Sequence, residues 1–385
     1  MDRRLRGEHE YEALIGTAPG AALEEVRARS PWMYDALVEG AFGGTLAGVD
    51  LGRADREKAT VAMLAAFGGA ERQLRTHVAA ALRAGVAPAE LRALAEHVTV
   101  YAGFPRGLNA LAVIDEVLTE AGIRRPPALQ RVRLADHETV VARRGDSGPA
   151  VVLVHALGLD WQMWDEVMTV LAVGRRVFAY DIRGHGAAVG SPTPFTMTDT
   201  ARDLIGVLDQ LGLDSAHVVG LSYGGGIAQA TAVAHPERFD SLSLLATTDY
   251  PFPAFEGRAR SGEVDGMAAQ VVPSLTRWFT ADALAVNGPA VRYARERVLR
   301  MPAADWAGAW RAFEGIDVQG RLGEFAAPVL VLAGELDASC TPEIMTGVAK
   351  RISGSTYEEL PGTPHMMSLE RPAEVAQALD RFLSR

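Results

Sequence analysis

Cysteine is nearly absent from this chain of 385 residues, in which Cys340 is the single example. One thiol cannot form an intramolecular disulfide or supply a cysteine-rich metal site. Basic residues are also in deficit, because 38 Lys and Arg stand against 48 Asp and Glu, for a net charge of −10. Such a balance argues against a non-specific binder of nucleic acid or of anionic membranes. We expect neither of those partners, and no metal ion or other cofactor.

Long apolar runs are missing as well. No stretch approaches the ~20 apolar residues that a membrane helix needs. The segment from Met1 to Glu8 is charged and lacks the apolar core of a secretion signal, so we expect a cytoplasmic protein. The composition that remains, 48% hydrophobic and 22% charged, is typical of a folded protein with a large core. The length favours two or three domains.

Residues 1 to about 122 carry a helical pattern throughout. Apolar residues recur at three- and four-residue spacing in three predicted helices, Asp55–Phe67, Glu71–Ala84 and Pro88–Ala102. A further helix is predicted from about Leu108 to Ala121. The string Arg124-Arg125-Pro126-Pro127 ends the pattern, because paired prolines cannot continue a helix. We therefore predict an all-α domain of residues 1–125 and a second domain of residues 126–385.

The second domain alternates between strand-like and helix-like segments. Its predicted strands are short apolar runs: Thr139–Ala142, Val151–Val154, Val177–Tyr180, Val218–Leu221, Ser241–Leu245 and Val329–Leu332. Predicted helices include Asp199–Leu211 and Pro372–Leu383. This alternation predicts a mostly parallel sheet with helices on both faces. Residues of about 251–325 interrupt it with helical, strand-poor sequence, which we interpret as an inserted helical cap.

The string Gly220-Leu221-Ser222-Tyr223-Gly224 fits the G-x-S-x-G pattern of a nucleophilic serine. It follows an apolar strand and opens a predicted helix, so Ser222 is placed on a sharp turn between the two. Small neighbours are needed at such a turn because the chains pass closely, and the helix start offers N–H groups to a developing oxyanion. By itself the pentapeptide also fits a glycine-rich turn with an ordinary serine.

Two residues far downstream complete a candidate catalytic triad. Asp337 follows a late apolar strand, and His365 lies in a loop before the last predicted helix. The chain order Ser, Asp, His is that of an α/β-hydrolase. An oxyanion hole is predicted from the backbone N–H groups of Leu157, in the turn after an early strand, and Tyr223. His185, in another turn, is expected to pack rather than react.

Residues 130–385 resemble an α/β-hydrolase of the 3-oxoadipate enol-lactonase type. Besides the triad, the matching strings are Leu157–Asp165, Gly266–Ala269, Arg277–Thr280 and Ser368–Pro372. The resemblance implies an α/β-hydrolase fold with a cap, and serine-dependent hydrolysis of a small lactone or ester without a cofactor. Trp278, which lies in the cap, is a candidate for shaping the acyl pocket.

The first domain offers three residues with chemical potential, His77, His97 and Tyr101. His97 and Tyr101 are four residues apart and share a helix face. The simplest interpretation of each histidine is a buried, hydrogen-bonded core position, and we adopt it for His97.

Residues 58–112 nevertheless resemble the carboxymuconolactone decarboxylase family. The matching strings are Ala59–Leu64, Leu74–His77, Gly85–Val86 and Tyr101–Pro105, with Asn109 beyond. The resemblance implies a small all-helical fold that assembles as a homo-oligomer. It also implies a decarboxylation without cofactor, in which His77 protonates a dienolate. The chain departs from the family pattern at Phe42–Leu46 and at Gln73, where tryptophans and an acid are expected.

These patterns lead to the hypothesis of a bifunctional enzyme of protocatechuate-type aromatic catabolism. One domain would decarboxylate 4-carboxymuconolactone, and the other would open the resulting 3-oxoadipate enol-lactone. An alternative is an ester- or lactone-processing hydrolase of a biosynthetic pathway with an inactive first domain. Two more alternatives are a first domain that serves only oligomerisation, and a non-hydrolytic pocket in which Ser222 binds the ligand.

Overall fold

The computed structural model describes residues 2–48, 50–123 and 125–384. The chain divides into two compact units, Met1–Pro126 and Pro127–Arg385, which we call the helical unit and the sheet unit. None of the helices in the described part of the chain is long and apolar enough to cross a membrane.

The helical unit confirms an all-α fold. Its helices are α1 (Arg3–Ile15), α2 (Pro19–Ala22), α3 (Glu24–Arg29), α4 (Pro31–Asp35), a π-helix (Ala36–Thr45), a short 3₁₀ turn (Leu46–Gly48), α5 (Arg53–Phe67), α6 (Glu71–Arg83), α7 (Pro88–Ala102) and α8 (Phe104–Glu120). Helix α7 has the predicted bounds. Helix α8 begins four residues before the predicted Leu108, because Gly103 serves as its N-cap and Pro105 fits its first turn.

Two apolar clusters hold the helical unit together. The larger joins α5 to α8 around fully buried side chains such as Val61, Leu91 and Ile114. The smaller joins α1 to the π-helix, where Phe42 packs edge-on against Tyr11 with ring centroids 5.0 Å apart. Phe42, at the departure from the family pattern, therefore serves helix packing in this unit.

The expectation of a buried His97 is wrong. Helix α7 buries the face formed by Leu91, Ala95 and Val98, and His97 falls outside that stripe and is exposed. The shared face with Tyr101 is correct, since the two ring centroids are 5.0 Å apart. Burial on a short helix follows the packing partner, which the spacing of His97 and Tyr101 does not specify.

The sheet unit contains one eight-stranded sheet, in the order β1-β2-β4-β3-β5-β6-β7-β8. The strands are β1 (Ala128–Arg133), β2 (Glu138–Arg144), β3 (Ala150–Val154), β4 (Arg176–Tyr180), β5 (Ala216–Leu221), β6 (Phe239–Leu245), β7 (Val329–Gly334) and β8 (Thr356–Leu360). The pairs β1·β2 and β2·β4 are antiparallel, and the remaining pairs are parallel, which confirms the mostly parallel sheet. The sequence pattern misses β1 and β8, because each edge strand buries a single residue, Val132 or Leu360.

Helices cover the sheet and form the cap. They are α9 (Asp165–Leu171), α10 (Met197–Gln210), α11 (Tyr223–Ala234), the cap helices α12 (Ala254–Asp265), α13 (Met267–Trp278), α14 (Ala281–Val286), α15 (Pro289–Arg300) and α16 (Ala303–Glu314), then α17 (Pro342–Lys350), α18 (Met367–Glu370) and α19 (Pro372–Leu383). Strands β3 and β7 are buried at every position, as central strands covered on both faces must be. The carboxyl ends of the parallel strands therefore meet at one edge, beside the cap segment.

Candidate active site

Ser222 lies on a strained turn between β5 and α11. Its backbone has φ 55° and ψ −115°, a left-handed conformation that a non-glycine residue adopts only under constraint. The turn is possible because its neighbours have no side chain. A Cβ on Gly220 would lie 2.3 Å from the carbonyl oxygen of Gly224, and one on Gly224 would lie 2.2 Å from that of Val154. The glycines of the pentapeptide are thus required by close backbone contacts.

The structure brings Ser222, His365 and Asp337 together. His365 Nε2 lies 3.1 Å from Ser222 Oγ, and its Nδ1 lies 2.8 Å from Asp337 Oδ2. The other carboxylate oxygen of Asp337 accepts the backbone N–H groups of Ser339 at 2.7 Å and Cys340 at 2.9 Å. Asp337 and His365 are both buried. Because Asp337 faces Nδ1, that nitrogen carries the proton, and Nε2 is left to accept the proton of Ser222.

The two predicted oxyanion donors flank the serine. Leu157 lines the same pocket as Ser222, and Tyr223 is the first residue of α11. Among the residues that the structure describes, neither backbone N–H finds a hydrogen-bond partner. The positive φ of the Leu157 turn falls on Gly158, at 81°, and Ala156 takes none. An alanine therefore fits the position before Leu157 without strain.

His155 fixes the turn that carries Leu157. Its Nδ1 donates to the carbonyl of Ala156 at 2.8 Å, and its Nε2 accepts the N–H of Ile182 at 2.9 Å. The ring must therefore be neutral, and burial lowers the pKa of His155 to about 4. His185 packs edge-on against it, with ring centroids 5.0 Å apart, and donates to the carbonyl of Arg183. His185 thus packs the turn, as expected.

An aromatic pocket opens onto Ser222. Its lining includes Leu157, Phe252, Phe255, Trp278, Trp310, Phe313, Cys340, His365 and Met366. Trp278 lies on the pocket wall, and its carbonyl accepts the N–H of Met366 at 2.9 Å. Thr280 links the cap to helix α18, which follows His365, since its N–H and hydroxyl both donate to the Glu370 carboxylate. The segments Arg277–Thr280 and Ser368–Pro372, which both carry the enol-lactonase resemblance, therefore contact each other here.

Sequence patterns miss two arginines of this pocket. Arg258, on α12, and Arg277, on α13, both line it together with Ser222. Arg277 stands next to Trp278 in the cap string, but arginine is so frequent in this chain that nothing marks the position. Their place in the pocket depends on how the cap helices fold over the sheet.

In the part of the chain that the structure describes, two clusters of side chains each bring three potential metal-ligand atoms close together. The donor atoms of Asp337, Cys340 and His365 lie within 4.8 Å of one another. There the aspartate and histidine are occupied with each other, and burial raises the pKa of the Cys340 thiol, which disfavours the thiolate that binds metals. The second cluster combines Asp136, His137 and Asp203, where the Arg183 guanidinium is hydrogen-bonded to both carboxylates.

His77 in the helical unit has an acidic partner from a different helix. Its Nδ1 lies 2.8 Å from Oε2 of Glu57, which is buried on α5. The carboxylate beside His77 thus comes not from position 73 but from Glu57, twenty residues before His77 in the chain. A pocket near α5, α6 and α8 is lined by Gly68, Glu71, Arg106 and Asn109, among others, and His77 is not part of that lining.

Comparison with known proteins agrees with both units. Residues 149–372 match the alpha/beta hydrolase fold family. The chain belongs to this family. Residues 31–116 match the carboxymuconolactone decarboxylase family. The chain thus joins an alpha/beta hydrolase unit to a helical unit that matches the model of the decarboxylase family.

The alpha/beta hydrolase unit has relatives that process lactones and esters. It is 28% identical over 240 residues to 3-oxoadipate enol-lactonase 1 of Acinetobacter baylyi, covering 62% of this chain and 90% of that protein. The enol-lactonase structure from Burkholderia xenovorans LB400 matches at a TM-score of 0.64 and 27% identity, over 66% of this chain and all of that one. The structure of a thermophilic esterase from Thermogutta terrifontis matches at a TM-score of 0.62 and 28% identity, over 67% of this chain and 98% of that one. The unit is therefore a hydrolase of the ester- and lactone-cleaving type.

Proposed function

We propose that this chain catalyses two consecutive reactions on one small molecule. The helical unit removes CO₂ from 4-carboxymuconolactone, and the sheet unit then opens the resulting 3-oxoadipate enol-lactone. The similarity to enol-lactonases and the decarboxylase family match support the pairing. Fusion is chemically reasonable because the product of the first reaction is the substrate of the second.

In the proposed hydrolysis, Ser222 Oγ attacks the lactone carbonyl while His365 Nε2 takes its proton. The N–H groups of Leu157 and Tyr223 donate to the oxyanion that forms. The ring C–O bond then breaks, and the enolate leaves, takes up the proton from His365 and collapses to the ketone. Water, deprotonated by His365, releases the acyl group and restores Ser222. The observation that carries this proposal is the position of His365, within hydrogen-bonding distance of both Ser222 and Asp337.

In the proposed decarboxylation, His77 protonates the dienolate that remains when CO₂ leaves. Glu57 accepts the Nδ1–H of His77, so Nε2 is the nitrogen that can deliver a proton, and it does so from the imidazolium form of the ring. The His77 side chain is 24% exposed, which leaves it accessible to a small substrate.

The test uses the full chain and follows each reaction separately. Ser222→Ala is expected to reduce enol-lactone hydrolysis by about 10⁴-fold while leaving CO₂ release from 4-carboxymuconolactone intact. His77→Gln is expected to reduce CO₂ release from 4-carboxymuconolactone while leaving enol-lactone hydrolysis intact. Full lactone turnover by Ser222→Ala would refute the nucleophile, and would favour a pocket in which this serine only binds.

A second candidate function retains only the hydrolase. In it, the helical unit serves assembly, and the sheet unit cleaves an ester or lactone of a biosynthetic pathway. The absence of His77 from the lining of the helical-unit pocket favours this candidate. A wild-type chain that hydrolyses lactones but releases no CO₂ from 4-carboxymuconolactone would establish it.

A further inference from the structure

Two positive charges share the pocket that contains the candidate nucleophile. Arg258 and Arg277 come from successive cap helices, and both line the pocket with Ser222 and His365. Both side chains are partly buried. The remaining lining is largely aromatic, so it offers no other group of comparable charge.

Within the described residues, both arginines lack an anionic partner. No carboxylate of the described residues lies within ion-pairing distance of either guanidinium. Arg277 makes one long contact, 3.4 Å to the hydroxyl of Ser274. The contrast with Arg311 is sharp, because that exposed cap residue forms ion pairs with both Glu256 and Glu263.

Arg258 is held by aromatic rings. Its guanidinium lies 4.8 Å from the ring centroid of Trp310 and 5.8 Å from that of Phe255. Such cation–π contacts hold the guanidinium against the rings and use none of its N–H donors. The position of the charge is therefore set before any ligand arrives.

Holding two unpaired charges together in a partly buried pocket is unfavourable. Burial and the positive charge of Arg258 lower the pKa of Arg277 to about 10, and burial lowers the pKa of Arg258. Both side chains remain cationic near neutral pH. An anion bound between them would relieve the desolvation and the mutual repulsion at once.

We propose that Arg258 and Arg277 form a subsite for a carboxylate of the substrate. This inference rests on the proposed hydrolysis and narrows its substrate class to lactones or esters whose acyl part ends in a carboxylate. A planar carboxylate matches the fork of a guanidinium, and charge-assisted hydrogen bonds of this kind are strong. Binding at this subsite holds the other end of the acyl chain at Ser222, which favours the acidic substrate over a neutral one of equal length.

The experiment compares two esters of equal chain length. 4-Nitrophenyl hydrogen adipate carries a free carboxylate, and 4-nitrophenyl hexanoate is its uncharged counterpart. The readout is the ratio of kcat/KM for the acidic ester to that for the neutral ester, in which any general loss of folding or catalysis cancels. We expect the full-length wild type to prefer the acidic ester, and Arg277→Met and Arg258→Met each to lower the ratio by about 10- to 100-fold.

Two further variants sharpen the comparison. Arg277→Lys keeps the charge but not the fork, and is expected to recover part of the ratio. Arg260→Met removes an exposed arginine from the same helix as Arg258, and should keep the wild-type ratio. A ratio that stays at the wild-type value in both Arg258→Met and Arg277→Met would overturn the subsite.

Failure of the subsite and failure of the proposed function give different results. If Ser222→Ala hydrolyses both esters as fast as wild type, the nucleophile is wrong. The subsite is then judged by calorimetric binding of adipate to the full chain. Adipate binding that weakens at least tenfold in Arg277→Met supports the subsite, and binding unaffected by Arg277→Met and Arg258→Met refutes it.

Discussion

At the scale of single residues, His155 shows how a buried neutral side chain serves the active-site turn. Both of its ring nitrogens are hydrogen-bonded to backbone groups, one as donor and one as acceptor. A second proton on the ring would break the bond from Ile182. The bonds that position Leu157 therefore require a neutral imidazole. The stability of the active-site turn consequently depends on pH.

The first prediction concerns this pH dependence. The pKa of His155 is about 4 in the folded protein, against 6.5 for an ordinary histidine. The stability that the neutral ring contributes is therefore fully present above about pH 6.5 and is lost as the pH falls towards 4. This loss is on the order of 3 kcal/mol of unfolding free energy. We expect His155→Gln, which offers one donor and one acceptor, to lose less stability than wild type between pH 7 and pH 4.5.

Tryptophan fluorescence during urea unfolding is the measurement, since five of the six tryptophans lie in the sheet unit. His235→Gln is the matched control, because its side chain is 45% exposed and it should follow the wild-type pH curve. Identical pH curves for His155→Gln and wild type would show that His155 is not held neutral.

At the scale of elements, the turn from β5 to α11 depends on the absence of side chains. Gly224 passes so close to β3 that a Cβ would lie 2.2 Å from the carbonyl oxygen of Val154 and 2.6 Å from that of His155. Both obstacles are backbone atoms, which cannot rotate away. Because β3 is a central strand, it cannot shift, and the start of helix α11 must move away from it instead.

The second prediction compares two glycine-to-alanine changes. Gly224→Ala is expected to cost about 3 kcal/mol or more of unfolding free energy and to abolish hydrolysis, because Ser222 loses its place beside His365. Gly257→Ala, within cap helix α12, meets no atom within 4 Å and should stabilise by about 0.5–1 kcal/mol. Denaturation midpoints and ester hydrolysis rates check both. A Gly224→Ala protein with wild-type rate and midpoint would contradict the close approach.

At the scale of the whole molecule, the helical unit exposes large apolar side chains around the junction of α7 and α8. Tyr101 is 80% exposed, Val100 75%, Phe104 70% and Leu108 60%. Phe104 and Leu108 are four residues apart and share a face of α8. Clusters of exposed apolar side chains are typical of interfaces. Since we predict a homo-oligomer, we expect a second copy of the chain to cover this apolar surface.

The third prediction tests that assembly. We expect the wild-type chain to elute as an oligomer in light-scattering chromatography, and the double variant Tyr101→Glu with Phe104→Glu to elute as a monomer, because buried glutamates without partners are costly. Val173→Glu replaces a side chain that is 81% exposed in the sheet unit, and should leave the oligomer intact. A monomeric wild type, or an oligomer that survives the double change, would refute the assignment.

The sequence alone determined the two kinds of fold and the order Ser222, Asp337, His365, because periodicity and turn chemistry are local properties of the chain. Through its resemblance to known hydrolases it also predicted roles for Leu157 and Trp278, which both line the Ser222 pocket, and for Tyr223, which follows the serine directly. Tertiary structure alone decided the exposure of His97, the pairing of His77 with Glu57, and the meeting of Arg258 and Arg277 beside the serine. Each of these depends on which helix faces are brought together, and side-chain spacing within one helix carries no information about a neighbour's position.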